Sequence, residues 1–425
     1  MSESPLRVCH LSLSDLKGGA SRAAYRLHRA LGGSGLDSTM RVALRQSDDP
    51  RVRGPQGKLA QGWAAVRPTV GALINRGLQS RNTVLHSASW LPSGLDRELN
   101  RLPVDVLHLH WVCGELLSVE ATARLQKPQV WTLHDQWAFL GAEHYQYQDR
   151  DRRYQQGYRR DNRPDWEQRW DLNRWVWQRK QRCWRRPHQL VAPSRWMADC
   201  VARSVLLGRW PITVIPNALN TDLFRPWDVA LSRRLLNLPP HRRLLLFGAE
   251  RAGSDLRKGM DLLRDVLQRL PRDLAERSAA VILGQSAPRG PEDWGLPVHW
   301  LGPVTDERLL PLVYSAVDLT IVPSRLDNLP QIGTEAQACG CPVVAWQVGG
   351  LADVLAPEVT GELVPPFDCA AMAAAIARLL MDEPRRRAYG EAARERAIAC
   401  WAEPVVAGRY QSVYLQALGD ADALS

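Results

Sequence analysis

The sequence predicts an α/β protein with two doubly wound parallel-sheet domains. A chain of 425 residues is too long for one ordinary hydrophobic core. Short β-prone segments alternate with helical patterns in both halves, and such alternation produces parallel sheets with right-handed crossovers. The first predicted strand, 6–13, runs into a glycine-rich loop and then a helix, which is how a nucleotide-binding half-domain opens.

In the first half, two predicted strands end in histidine. The helix after the glycine loop is expected over 20–31, with Ala24, Leu27 and Leu31 on one face. Further strands are expected over 104–110, 130–134, 190–192 and 212–217. Ligands of open parallel sheets gather at the carboxyl ends of strands. His110 and His134 are therefore placed where a ligand would bind.

The second half repeats the pattern after a proline-rich connection over 220–241. Its strands are expected over 243–247, 281–284, 298–302, 319–322 and 343–345, and the chain beyond Asp368 is expected to be helical. We therefore predict an N-terminal domain over 1–222 and a C-terminal domain over 223–400. The last segment, 401–425, is expected to be a helix that packs back on the N-terminal domain.

Composition favours a protein of the cytoplasm. The apolar fraction is 45%, and no run of 18 apolar residues exists, so no transmembrane helix is expected. The first residues lack the basic and apolar regions of a signal peptide. Eight cysteines without framework spacing are expected to be reduced thiols.

The net charge of +10 is concentrated in one segment. Residues 150–186 contain 12 Arg, one Lys and five Trp. Packing of some of these tryptophans in the core is the first interpretation. The second is peripheral contact with a membrane, at its inner face, through tryptophan and arginine. Nucleic acid is not expected as a partner, because no recognised RNA-binding module is present.

The most informative motif runs from Asp327 to Glu335 and precedes a small-residue turn and the strand at 343–345. Pro330 suits the first turn of a helix. The amides of such a turn, together with the helix dipole, bind anions such as a diphosphate. A sugar nucleotide would supply that diphosphate, and its hydroxyls would suit the two carboxylates.

These residues resemble the donor-site motif of retaining family 4 glycosyltransferases, which have the GT-B fold. The Asp-Asn-Leu-Pro form resembles the colanic-acid-type exopolysaccharide branch. Other motifs of that family occur along the chain in the same order as in the family: Lys17-Gly18-Gly19-Ala20, Thr132-Leu133-His134-Asp135, Ile215 to Phe224, Arg257-Lys258-Gly259 and Val348-Gly349-Gly350. The chain departs from the family at Asp327, where Glu is usual, and at Ala218 and Asn220 in the hinge.

The resemblance implies two Rossmann-like domains facing a cleft. It implies retaining transfer of a hexose from a nucleoside diphosphate sugar to a hydroxyl of a glycan or of a lipid-linked glycan. Same-face attack is the favoured route to retention, and a covalent intermediate on Asp327 is the alternative. Two other functions stay open: a sugar-nucleotide epimerase of the same fold, and a catalytically silent sugar-nucleotide-binding protein.

Roles for individual residues also follow from the resemblance. The catalytic group comprises His134 beside the donor sugar, Asp327 on sugar hydroxyls and Glu335 on the ribose. Acceptor contacts are assigned to His110 and Asp135. The donor-binding group comprises Gly18, Gly19, Arg251, Lys258, Asn328, Leu329, Gln331 and Glu335.

No metal or other cofactor is expected. No Asp-x-Asp motif follows a strand end in the right context, and Asp149-Arg150-Asp151 lies in a charged segment. Lys258 and Arg251 are cations that can balance the charge of a departing diphosphate. The nucleotide base, the sugar and the acceptor depend on loop shapes that sequence motifs do not specify.

Overall fold

A computed structural model describes residues 5–147, 151–248, 255–288, 290, 292–304 and 306–422. The chain divides into two compact units. Unit 1 comprises 1–218 and 406–425, and unit 2 comprises 219–405. The divisions predicted from the sequence lie at 222 and 400.

Unit 1 is built on a parallel sheet of seven strands in the order β3-β2-β1-β5-β6-β8-β9. A separate antiparallel ribbon joins β4 to β7. The strands are β1 Arg7–Ser14, β2 Asp37–Leu44, β3 Val52–Arg53, β4 Leu78–Ser80, β5 Val106–Leu109, β6 Gln129–Thr132, β7 Glu167–Arg169, β8 Gln189–Ala192 and β9 Ile212–Val214. The helices are α1 Gly19–Gly33, α2 Lys58–Ala72, α3 Leu95–Arg101, α4 Val119–Ala123, α5 Arg153–Gln156, α6 Leu172–Cys183 and α7 Arg195–Ala202.

Unit 2 is built on a parallel sheet of six strands in the order β12-β11-β10-β13-β14-β15. The strands are β10 Arg243–Gly248, β11 Ser278–Leu283, β12 Val298–Gly302, β13 Leu319–Val322, β14 Val343–Trp346 and β15 Gly361–Val364. The helices are α8 Val229–Leu235, α9 Met260–Gln268, α10 Arg272–Glu276, α11 Leu310–Ala316, α12 Gln331–Ala338, α13 Leu351–Val354, α14 Cys369–Met381 and α15 Glu383–Trp401.

The last helix, α16, spans Glu403–Asp422, and its residues from Val406 onward belong to unit 1. Val406, Tyr410, Val413 and Tyr414 pack with residues of α1 and with Val8 of β1. Successive residues of a strand point to opposite faces of a sheet. His10, two residues after Val8, therefore points to the same face, toward α1 and α16.

Both sheets carry the two-sided cover of a doubly wound α/β fold. The central strands of unit 2 are buried throughout, as in Leu319–Val322 and Val343–Trp346. The prediction of two Rossmann-like parallel-sheet domains is confirmed. In the part of the chain that is described, no helix is long and apolar enough to cross a membrane.

Candidate active site

Unit 1 holds a row of histidines on and just beyond its central strands. His10 lies on β1, and His110 and His134 follow β5 and β6. A hydrogen bond of 2.9 Å joins His10 Nδ1 to His110 Nε2, and one of 3.0 Å joins His110 Nδ1 to His134 Nε2. A neutral imidazole has one donor and one acceptor nitrogen. The tautomer of any one ring therefore determines the tautomers of the other two.

A fourth histidine, His108, packs against this row of histidines on the same face of the sheet. The His108 ring packs 4.0 Å from the His110 ring, measured between centroids. Hydrogen bonds join its nitrogens to the hydroxyls of Tyr414, at 2.7 Å, and Thr132, at 2.8 Å. Through Tyr414, helix α16 thus contributes to the environment of His110. Sequence reasoning missed His10 and both tyrosines of α16, whose pattern is that of ordinary core residues.

Burial keeps these imidazoles uncharged. It lowers the pKa of His134 to about 4 and the pKa values of His10, His108 and His110 well below the usual range. Three of the four have ligand atoms within 4.8 Å of one another, which is a spacing found in metal sites. Most of those nitrogens already bond to one another or to hydroxyls, so the arrangement is accounted for as a hydrogen-bonded network.

Asp135 lies next to these histidines, and three hydrogen-bond donors hold its carboxylate in place. Trp111 Nε1 donates to it at 2.8 Å, the Trp137 amide donates at 3.0 Å, and His144 Nδ1 lies 2.6 Å away. Burial raises the pKa of Asp135, but His144 and these hydrogen bonds outweigh it, and the net pKa is lowered. His110, His134 and Asp135 line one small pocket of unit 1. The structure thus brings together the predicted histidine and both predicted acceptor residues.

The glycine loop of unit 1 is shaped by Gly18 and Asp15. Gly18 has a φ of +89°, a region that side-chain-bearing residues rarely adopt, and it precedes α1, which begins at Gly19. The buried Asp15 carboxylate accepts hydrogen bonds from the amides of Gln46 and Ser47 and so ties the loop to the end of β2. Asp15 was not singled out by the sequence motifs.

In unit 2, an ion pair lies beyond the end of β13. Lys258 Nζ donates to Asp327 Oδ2 at 2.6 Å. Burial alone would raise the pKa of Asp327, but the charges of Lys258 and Arg257 and two hydrogen bonds lower it overall. Asp327 is therefore a carboxylate at neutral pH. The Asn328 amide donates to its other oxygen at 3.0 Å.

The loops that carry this pair are fastened together by a residue that the sequence analysis did not select. Arg325 donates through its amide to the Arg257 carbonyl at 2.6 Å and through Nη1 to the Leu256 carbonyl at 2.8 Å. Its guanidinium also pairs with both oxygens of Asp261. Where these two loops meet, position 259 requires glycine, because a Cβ there would lie 1.9 Å from the Pro323 carbonyl oxygen.

The remaining donor-binding predictions surround the start of α12. Pro330 is the residue before the helix and not part of its first turn, because the regular backbone begins at Gln331. Asn328 and Leu329 are buried in the loop. Glu335 is the fifth residue of the helix and is buried, and its Oε2 accepts a hydrogen bond of 2.6 Å from Tyr314 of α11.

The structure thus gathers the predicted residues into two groups. Gly18, Gly19, His110, His134 and Asp135 belong to unit 1. Lys258, Asp327, Asn328, Leu329, Gln331 and Glu335 belong to unit 2. Arg251 lies outside the described residues.

Two family models match the chain and together span most of it. Residues 17–223 match the model described as Glycosyltransferase Family 4, and residues 254–396 match the model described as Glycosyl transferases group 1. The chain thus resembles glycosyltransferase families in both of its halves, and each family model covers less than half of it. Its match to sucrose-phosphate synthase from Thermosynechococcus elongatus supports the fold, with a TM-score of 0.69 at 21% identity over 98% of this chain and 100% of that one.

Two further similar proteins have names that describe a substrate or a bound ligand. The D-inositol 3-phosphate glycosyltransferase of Acidothermus cellulolyticus is 29% identical over 387 residues, or 85% of this chain and 78% of that protein. The structure of Anabaena HepE in complex with UDP-glucose matches with a TM-score of 0.65 at 16% identity, over 97% of this chain and 100% of that one. The chain spans about half the length of several curated relatives that are 32–34% identical to it.

The basic segment at 150–186 turns many of its side chains inward. Arg153 pairs with Glu167 and Asp171 and is buried. Lys180 is fully buried, donates to the carbonyls of Trp137, Leu140 and Gly141, and lies 3.8 Å from the centre of the Trp137 ring. Trp177 and Trp184 belong to the core, whereas Trp170 is exposed. Core packing, the first interpretation of this segment, holds for these two tryptophans.

Proposed function

We propose that the protein transfers a hexose from a nucleoside diphosphate sugar to a hydroxyl of a glycan or lipid-linked acceptor, with retention at the anomeric carbon. The ion pair between Lys258 and Asp327, just ahead of the first turn of α12, is the observation that carries the proposal. An ammonium, a carboxylate and helix amides match the diphosphate and hydroxyls of a sugar nucleotide. Both matched families are glycosyltransferases, which supports transfer over epimerisation or silent binding.

Each donor contact then has a chemical task. Lys258 balances the charge that the diphosphate gains as the bond from the anomeric carbon to the phosphate oxygen breaks. Asp327, ionised at neutral pH, accepts from sugar hydroxyls, and Glu335 accepts from the ribose. The amides of Asn328, Leu329 and Gln331 hold phosphate or sugar oxygens. Arg251 is proposed as a second cation on the diphosphate.

Unit 1 would serve the sugar and the acceptor. His134 is neutral because burial lowers its pKa to about 4, so it orients hydroxyls and does not supply a cation. His110 and Asp135 are proposed to bind the acceptor hydroxyl, while Gly18 and Gly19 let the loop approach the donor. In same-face attack, the acceptor oxygen bonds to the anomeric carbon and its proton passes to the departing phosphate oxygen. No metal is needed for that step.

Uracil is the base to test first, because HepE was crystallised with UDP-glucose. A role in polysaccharide biosynthesis follows the resemblance to exopolysaccharide enzymes. A phosphorylated cyclitol is a second candidate acceptor, because several relatives are named D-inositol 3-phosphate glycosyltransferases.

The deciding experiment joins donor binding to product analysis. Thermal unfolding is measured with UDP, GDP, ADP and dTDP and with their common sugars. A nucleotide at 100 times its Kd should stabilise the fold by about 2.7 kcal/mol. The stabilising donor is then incubated with acceptors, with and without EDTA, and the new linkage is assigned by NMR. An α-linked product from an α-donor in EDTA supports the proposal; an inverted linkage or an epimerised donor contradicts it.

A further inference from the structure

Helix α2 of unit 1 presents its large apolar residues to solvent. Leu59 is 92% exposed, Val66 is 52% exposed and Trp63 is 48% exposed. Leu73, in the 3-10 turn that follows the helix, is 48% exposed. These residues recur every three, four or seven positions, so they share one helical face.

The face of α2 that packs on the unit carries two small residues and one arginine. Its buried residues are Ala64, Arg67 and Gly71. Gly71 lies against Glu115 so closely that a Cβ would come within 2.3 Å of the Glu115 side chain, and its carbonyl accepts from Trp90 Nε1 at 3.1 Å. A surface helix of a globular protein normally shows the reverse pattern. A continuous exposed apolar face of this kind marks an interaction surface.

The charge around this face has one sign. Residues 50–95 contain five Arg, one Lys and no Asp or Glu. Lys58 at the start of α2, Arg76 in the 3-10 turn and Arg81 after β4 are all exposed. A groove beside the first turns of α2 is lined by Lys17, Arg45 and Arg53, and none of its described lining residues is acidic.

The apolar face continues onto the β4–β7 ribbon. Gly77, at the end of the 3-10 turn, packs against the Trp170 ring, which follows β7 and is 40% exposed. Tryptophan prefers the boundary between headgroups and acyl chains. We propose that α2, with Trp170 beside it, docks in the plane of an anionic phospholipid surface, its leucine and tryptophan side chains entering the acyl boundary and its basic residues on the headgroup phosphates.

This inference keeps Trp170 of the segment at 150–186 but moves the main expected membrane contact to α2, since Arg153, Arg179 and Lys180 of that segment are buried. A second copy of the chain is a less suitable partner for this face, because pairing two such faces would bring basic residues against basic residues. The inference does not rest on the transfer reaction.

The test is flotation of the full chain with two kinds of vesicle, phosphatidylcholine alone and phosphatidylcholine mixed with phosphatidylglycerol. We expect binding to the mixed vesicles, weakened by salt, and little binding to phosphatidylcholine. The double variant Leu59→Glu/Trp63→Glu should lower binding at least about tenfold, because charge replaces the apolar contact. Leu235→Glu is the matched control, since Leu235 is 60% exposed but lies in unit 2.

Two outcomes would overturn the proposal. One is equal binding by the double variant and the unchanged protein. The other is absence of binding to the mixed vesicles together with a concentration-dependent dimer, measured by sedimentation, that the same variant abolishes. If the double variant has a lower melting temperature than the unchanged protein, the milder variant Trp63→Ser replaces it in the flotation assay. Nucleotide binding is also measured on each variant, so that a loss of vesicle binding can be distinguished from damage to the proposed donor site.

Discussion

In unit 1 the strands β5 and β6 lead to His110 and His134, whereas in unit 2 the strand β13 leads to Asp327 and its partner Lys258. The histidines are buried and uncharged, and their ring nitrogens bond to one another. The ion pair of unit 2 keeps both of its charges, because each group lowers the cost of burying the other. The same kind of fold thus ends in a neutral polar network in one unit and in a charged pair in the other.

The two units also use lysine differently. Lys180 of unit 1 is completely enclosed and donates to three loop carbonyls, so it is part of the structure. Lys258 of unit 2 is 24% exposed and, within the described residues, pairs with the Asp327 carboxylate, so its remaining donors can reach a ligand. The comparison teaches that a lysine's partners, rather than its burial alone, indicate whether it serves the fold or a substrate.

The largest expected effect is that of Lys258→Ala on transfer. Removing the cation should lower kcat/KM by about 10²–10³-fold, because it stabilises charge that develops on the departing diphosphate. The melting temperature should stay within a few degrees of the original. Initial rates at low donor concentration measure the effect, with Lys127→Ala in unit 1 as the control. Full activity in Lys258→Ala would remove the donor role from this residue.

The converse prediction concerns Lys180→Met. We expect a loss of about 3 kcal/mol in the free energy of unfolding, since three carbonyls lose their donor and the space between Trp137 and Trp184 is refilled only in part. Urea unfolding followed by tryptophan fluorescence reports mainly on unit 1, which holds 12 of the 17 tryptophans. An unchanged midpoint would mean that Lys180 is not a structural cation.

Acid should weaken unit 1 before unit 2. The folded pKa of His134 is about 4, and burial lowers the pKa values of His10, His108 and His110 well below the usual range, so the unfolded chain binds more protons below pH of about 6.5. Each such histidine then removes about 1.4 kcal/mol of stability per pH unit as pH falls from about 6.5 toward 4. The Asp327 pKa is lowered, so its contribution is lost only below about 3.8.

Thermal unfolding at pH 7 and pH 5 checks this prediction, with tryptophan fluorescence for unit 1 and calorimetry for both units. His10→Asn, which removes a buried imidazole, should reduce the difference between the two pH values. A melting temperature that is the same at both would show that the histidines do not set the acid limit.

The smallest expected effect is that of Tyr314→Phe. Loss of the hydrogen bond to Glu335 should cost about 1 kcal/mol, and a less well oriented carboxylate should raise the donor KM by less than about tenfold while kcat changes little. Glu335→Ala, in contrast, should lower kcat/KM by about 10–100-fold, because it removes the carboxylate that is proposed to bind the ribose. Equal effects of the two substitutions would show that Tyr314 does more than orient Glu335.

The sequence by itself determined the fold class and the approximate positions of most strands that lead to candidate site residues. Alternation of short apolar strands with helical patterns predicted both parallel sheets, and motif order predicted residues such as His134, Lys258 and Glu335. The prediction of both sheets succeeds because periodicity is a local property of the chain, whereas the roles of these residues stay predictions.

Only the tertiary structure decided which distant residues touch. The contacts of His10 with His110, of Tyr414 with His108 and of Arg325 with Asp261 join positions whose separation in the sequence carries no periodic signal. The outward-facing apolar side of α2 also depends on what the rest of the unit packs against that helix. Side-chain partners and exposure are set by packing between distant segments, and a single sequence does not record that packing.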